Sequence, residues 1–262
     1  MRGGSRTTLA ALGAVLSACT SVGADPQAAV AIEFDTLPYP AVVTGDSMRN
    51  EVGAATAFAP RAYNVDGARI ADATFAYQLL DTGATITPSG VLVARGRRDG
   101  SLRVVAQING IQSLPRTVLV ARAPSALLAT STLRDTVKYV LPDIAATNSS
   151  QAITLRVATS DSAGGVRGAA GWIVRFRTLF RGQPLGTDST ALAVLVDDAF
   201  RTSQSDTTGS DGVVSRRLRI RVGLLPSTAD SFVVEATTTD RGRNLTGAPA
   251  RFVIHYRPRT AP

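Results

Sequence analysis

The chain has 262 residues, of which 44% are hydrophobic, 28 basic and 20 acidic, with one cysteine and one histidine. That apolar content excludes wholesale disorder, the lone cysteine excludes a disulfide within the chain, and the lone histidine excludes a histidine-rich metal site. The net charge of +8 is carried unevenly, with 17 basic against 11 acidic residues from Pro124 onward and 9 against 8 over residues 30–123.

The first predicted segment is a leader. Arg2 and Arg6 precede an uncharged stretch, Thr7 to Ala18, rich in Ala, Leu, Val and Gly. Its length suits the apolar region of an export signal, about 7–15 residues, and falls short of the roughly 20 a spanning helix needs. Leu16-Ser17-Ala18-Cys19 resembles the lipobox of bacterial lipoproteins: an aliphatic residue, two small ones, then cysteine. The resemblance implies cleavage between Ala18 and Cys19, a diacylglyceryl group on the Cys19 sulfur, and acylation of the new amino group. Residues 1–18 are then a signal peptide and 19–28 a lipidated tether. Several acyl chains anchor a protein stably where one does so only marginally, at about 0.8 kcal/mol per buried methylene. The alternative is an ordinary export signal with an incidental Cys19, although exported chains commonly keep cysteines in pairs. Thr20 follows the cysteine rather than Asp, which in lipoproteins of enterobacterial type implies the outer membrane, on either its periplasmic or its outward face. The tether spans at most about 35 Å when extended.

From residue 29 to 122, short apolar alternations are broken by turn chemistry: "NVDGA" at 64–68, "DTGA" at 81–84, "PSG" at 88–90, "RRDG" at 97–100 and "NG" at 109–110. Strands this short and regularly spaced predict a β-sandwich. An aromatic strand with Phe75 and Tyr77, Gly90 with an aliphatic pair and Ala94, Gly100, "LRVVAQING" and a closing "TVLV" together resemble bacterial Ig-like domains of the group-2 type. Phe75 stands where that family carries a tryptophan. Residues 123–132, "APSALLATST", lack the alternation and read as a linker, with Leu127 and Leu128 packing locally.

From residue 133 to 258 the strands lengthen. Ile153, Leu155 and Val157 share one face, as do Trp172, Val174 and Phe176, then Leu192, Val194 and Val196, and finally Phe252, Ile254 and Tyr256. The order of a long strand, a polar glycine turn, a second strand, an Asp/Thr-Gly turn and a closing pair resembles invasin-type, group-1 bacterial Ig-like domains. The expected fold is all-β: two tandem Ig-like sandwiches after a cleaved signal peptide. Trp172 is expected in the second core.

The sharpest binding candidate is a set of alternating arginines. In "SRRLRIRVGLL", Arg217, Arg219 and Arg221 fall on one strand face, and Arg175 and Arg177 do the same in "WIVRFRT". If those two strands are neighbours, the five form a basic wall for phosphate or carboxylate groups of lipid headgroups, lipopolysaccharide or acidic glycan. The alternative is the solvated side of half-buried strands. Asp197, Asp198, Asp206 and Asp211 could offer oxygens to calcium, but EF-hand spacing is missing and strand-connecting turns favour Asp anyway. His255 is expected on the surface. The three glutamates, Glu33, Glu51 and Glu235, lie in strand-like segments, and no G-x-S-x-G turn is present. No stacking aromatic series accompanies the positive charge, which argues against nucleic acid. The sequence therefore predicts a non-enzymatic, lipid-anchored envelope protein without a cofactor. Its expected contacts are the membrane, through the lipid, and an envelope protein or glycan.

Overall fold

Period-two alternation of apolar residues, broken by turns, can bury only one face of each strand, so the strands must stack as layers. The computed structural model describes residues 28–96, 100–141, 143–160, 165–188, 190–225 and 230–258. Among them there are strands, turns and one 3-10 turn at Val222–Leu224, with no α-helix.

The first sandwich runs through β1 (Ala31–Glu33), β2 (Ala41–Val43), β3 (Arg61–Tyr63), β4 (Arg69–Ile70), β5 (Ala76–Leu79), β6 (Ala84–Ile86), β7 (Leu92–Ala94), β8 (Gly100–Ile108), β9 (Ile111–Gln112) and β10 (Arg116–Ala121). One layer is the sheet β2-β10-β8-β5, with β2 parallel to β10 and the other pairs antiparallel. The other layer is divided between β1-β3-β4 and the hairpin β6-β7. Met48, Leu92, Leu102 and Val118 fill the space between the layers and are fully buried.

The second sandwich comprises β11 (Ala126–Ala129), β12 (Arg134–Tyr139), β13 (Ile153–Ser160), β14 (Val166–Gly168), β15 (Ile173–Phe180), β16 (Gln183–Pro184), β17 (Ala193–Val196), β18 (Ser205–Thr207), β19 (Val213–Ile220), β20 (Asp230–Thr237), β21 (Thr239–Asp240), β22 (Arg243–Asn244) and β23 (Ala250–Pro258). Its sheets are β11-β13-β19-β17 and β12-β23-β20-β15-β16. In immunoglobulin lettering these orders are A-B-E-D and A′-G-F-C-C′. Phe232, Phe252 and Tyr256 form its aromatic centre, with neighbouring ring centroids 5.2 Å apart for Phe232–Tyr256 and for Phe180–Phe232. Both sandwiches are thus Ig-like, the first with a reduced second sheet.

The stretch 123–132 is not a free connector. Ala126–Ala129 pairs antiparallel with Ala158–Leu155, and Leu127 is buried. Leu127 points inward and Leu128 outward, which is enough alternation to complete a sheet edge. The true connection is the few residues after Ala121. Even there the Thr159 hydroxyl donates to the Ala123 carbonyl (2.8 Å) and the Ser125 amide to Ala158 (2.7 Å). One buried cluster continues from Phe34 and Met48 to Phe252 and Tyr256, so the two sandwiches share a hydrophobic interior.

Candidate functional site: the junction and the outer sheet faces

Trp172 is buried as expected, but part of what covers it belongs to the first sandwich. Its ring meets Tyr39 edge-on with centroids 5.7 Å apart, and its indole N–H donates to the Thr239 carbonyl at 3.3 Å. The Ile173 amide donates to the Tyr39 hydroxyl at 2.8 Å, and burial pushes that phenol up to about 12. Around this aromatic contact lie polar links. Arg175 Nε donates to Glu51 (2.6 Å), the Thr239 hydroxyl to the Glu51 carbonyl (3.1 Å), and Arg241 Nε to Asp46 (2.9 Å). Asp46 also accepts from Arg49 Nε at 3.0 Å, and this bond is the main cause holding its carboxyl below the usual 3.8. Burial pushes the neighbouring Asp240 the other way. Two glycine turns meet backbone to backbone: a Cβ on Gly53 would lie 2.2 Å from the Arg241 carbonyl carbon, and one on Gly242 2.5 Å from the Val52 carbonyl oxygen.

The five candidate arginines do not form one wall. Strand β15, with Arg175 and Arg177, lies in one sheet, whereas β19, with Arg217 and Arg219, lies in the other; Arg221 directly follows β19. The sandwich core separates the two rows. Each of the five is also engaged. Arg177 Nε donates to Glu235 at 2.6 Å, Arg217 lies 3.6 Å from Asp198, Arg219 lies 3.7 Å from Asp143, and Arg221 donates to the carbonyls of Asp188 and Ala191. Ala18 and Cys19 lie outside the described residues.

The aspartates tie down turns. Asp197 accepts from the Ala199 and Arg201 amides, each at 2.9 Å, Asp211 accepts from Val213 at 3.0 Å, and Asp206 pairs with Arg216 at 2.7 Å. Among the described residues no cluster of three or more His, Cys, Asp or Glu has metal-binding geometry. The 3.0, 2.9 and 2.7 Å contacts show that neighbouring amides and an arginine already use these oxygens. Glu235 is buried between Arg177 and Arg251, with Arg251 Nε at 2.8 Å.

A cationic face that sequence reasoning missed lies on the outside of β12-β23-β20-β15. Strand parity and register put Arg251, His255 and Arg257 on this face, with Arg134 and Lys138 beside them on the parallel strand β12. Arg177 and Arg175 continue it across β20. Glu235 is the one carboxylate at the outward positions of these four strands. The signal was present in "RFVIHYRP" and "RDTVKY", where the basic residues recur at even spacing opposite the apolar ones. Finding it required knowing that the N-terminal strand pairs with the C-terminal one.

No family model and no curated protein matches the chain. Similar solved structures include the Yersinia pseudotuberculosis adhesin InvE, 16% identical over 76% of this chain and 53% of that one, with a TM-score of 0.33. Invasin, a bacterial integrin-binding protein, is 16% identical over 79% of this chain and 37% of its own, with a TM-score of 0.28. Domains 5–6 of the S-layer protein SbsC are 11% identical over 88% and 97%, with a TM-score of 0.27. The chain spans about half the length of InvE. Superpositions this loose carry no argument about function. Strand order alone defines the class: a tandem Ig-like β-sandwich protein.

Proposed function

We propose that the protein is a non-enzymatic envelope lipoprotein, anchored through Cys19, that presents its second Ig-like sandwich at a distance from the membrane for adhesion or binding. The observation that carries this is the direction of the strands. β1 leads in from the Tyr63 end of β3, while β10 ends at Ala121 beside the junction. The chain therefore enters the first sandwich before β1 and leaves it after β10 directly into the second. An anchor at Cys19, nine residues before Ala28, adds at most about 30 Å of tether. On this reading the order from the bilayer outward is lipid, first sandwich, second sandwich. The polar links around Tyr39 and Trp172 support a fixed elbow rather than a flexible string. The engaged carboxylates support display rather than catalysis, since fold alone licenses no activity.

Two measurements test the reading. Cells fed a palmitate analogue should label the wild-type chain and not Cys19→Ala, and the variant should leave the membrane fraction. Equal labelling of both removes the anchor. Soluble protein starting at Thr20 should retain a component of an envelope extract; retention of nothing removes the display role.

A further inference from the structure

We infer that the outward face of the β12-β23-β20-β15 sheet binds an acidic polysaccharide, an extended sugar chain bearing carboxylate or sulfate groups. The inference rests on the reading of the second sandwich as a binding module, though not on the lipid anchor.

Many arginines of this sandwich meet a carboxylate, Arg175, Arg177 and Arg251 on this face and Arg181, Arg201 and Arg216 off it. Arg134, Lys138 and Arg257 break this habit. All three are exposed, and none has a carboxylate partner among the described residues. They also share one face, and two of them are adjacent. Parallel pairing sets Lys138 directly beside Arg257, one strand spacing of about 4.8 Å away, while Arg134 lies beside Val253, about 13 Å further along the same face and diagonal to Arg251 and His255. Clustered like charges repel and destabilise a compact state unless an anion joins them. Here the repulsion is placed on one flat, open sheet face.

The groups between the cations indicate the ligand. Thr136, Ser231 and His255 lie in one register row and line an open depression together with Arg257. Asp230 also lines that depression, its carboxylate held by Arg181 at 2.9 Å. Hydroxyls and an imidazole set among cations complement a polymer whose own hydroxyls alternate with anions. No aromatic ring occupies an outward position on these four strands, so nucleic-acid bases would find no stacking platform. A small free anion would favour an enclosed, convergent site instead. From Arg251 to Arg257 the face runs about 20 Å along the strand, far longer than one sugar ring.

The test uses the chain from Thr20 onward against polygalacturonate, dextran sulfate, neutral dextran and single-stranded DNA. Binding to polygalacturonate or dextran sulfate, and not to neutral dextran, is expected, and the stronger of the two assigns carboxylate or sulfate. Replacing Arg134, Lys138 and Arg257 together by Gln should weaken binding by about tenfold and flatten its salt dependence. Replacing Arg217, Arg219 and Arg221 by Gln on the opposite sheet should change it less than about twofold. The face variant should keep the parent's far-UV and Trp172 emission spectra, because it removes no internal carboxylate partner, and the same spectra check that the opposite-sheet variant, which loses its contacts to Asp198 and Asp143, is still folded. Equal losses in the two variants, equal binding to neutral dextran, or tighter binding to DNA would each overturn the inference. A chain that ignores both polysaccharides yet captures an envelope protein overturns it as well, while leaving the display reading in place.

Discussion

Arg181 and Arg241 have φ of 50° and 49°, a conformation L side chains rarely adopt, and each is followed by a glycine at φ 80° or 74°. They form two-residue hairpin turns between β15 and β16 and between β21 and β22, the same geometry as Asn109-Gly110 between β8 and β9. The Asn-Gly turn was legible because asparagine tolerates that region. Arg-Gly carries no such signal, and the arginines are there for their distal contacts, with Asp230 and Asp46 respectively. Arg216 was missed for a different reason. In "VVSRRLRI" the eye follows Arg217 and Arg219, whereas strand parity turns Arg216 inward with Val214 and Leu218. It is buried, lies 6.0 Å from the centre of the Phe176 ring, pairs with Asp206 and donates to Ser203 and the Ser205 carbonyl. It pins the crossover between the two sheets. Arg216→Ala should leave those oxygens without their cation and cost about 2–3 kcal/mol. Thermal unfolding should register this as a drop of roughly 5–10 °C, and Arg216→Lys should recover only part, because ammonium cannot reproduce the fork.

The strands themselves were readable from alternation, and so were most turns. Their neighbours were not. Periodicity tells which face of a strand is buried but not which strand lies beside it, so β15 and β19 could be imagined adjacent when a core divides them. The same limit hid β11, whose four residues are too short to show a period, and the β12–β23 pairing, whose partners begin more than 100 residues apart. Docking of turn on turn is less legible still, since it depends on two glycines that no local pattern links. Gly53 and Gly242 allow the 50–54 turn and the β21-β22 hairpin to touch through their backbones, both at positive φ. Gly242→Ala would meet the Val52 carbonyl 2.5 Å away and a strained φ of 74° together. The expected outcome is undocking with both sandwiches still folded. Small-angle scattering should show a larger radius of gyration, and calorimetry should split one transition into two. A single unshifted transition would count against the docking role.

Because the two sandwiches share a buried interior, orientation and stability are coupled, and the chain holds its own probe: Trp172 is the only tryptophan and sits in the seam. Several titratable groups meet there, namely Asp46, Asp240 and Glu51 with Arg49, Arg175 and Arg241. Asp46 has its folded value lowered, chiefly by Arg49, so its contribution is complete above 3.8 and is lost as pH falls through the lower folded value. Asp240 has the opposite sign. Burial raises its folded value, so it weakens the fold as pH rises through the range above 3.8 and stops doing so once protonated. Mild acidification should therefore leave the seam closed, and opening should begin only below about pH 4. Trp172 emission should then shift to the red before the far-UV signal of the sheets declines, because the contact with Tyr39 is exposed first. Asp46→Asn removes the carboxylate charge that Arg49 and Arg241 share, and should cost about 1–2 kcal/mol at neutral pH. That variant should start with a red-shifted spectrum and lack the separate acid step. If wild-type emission and sheet signal instead move together at every pH, the two sandwiches unfold as one body, and Asp46 is not the group that holds the elbow.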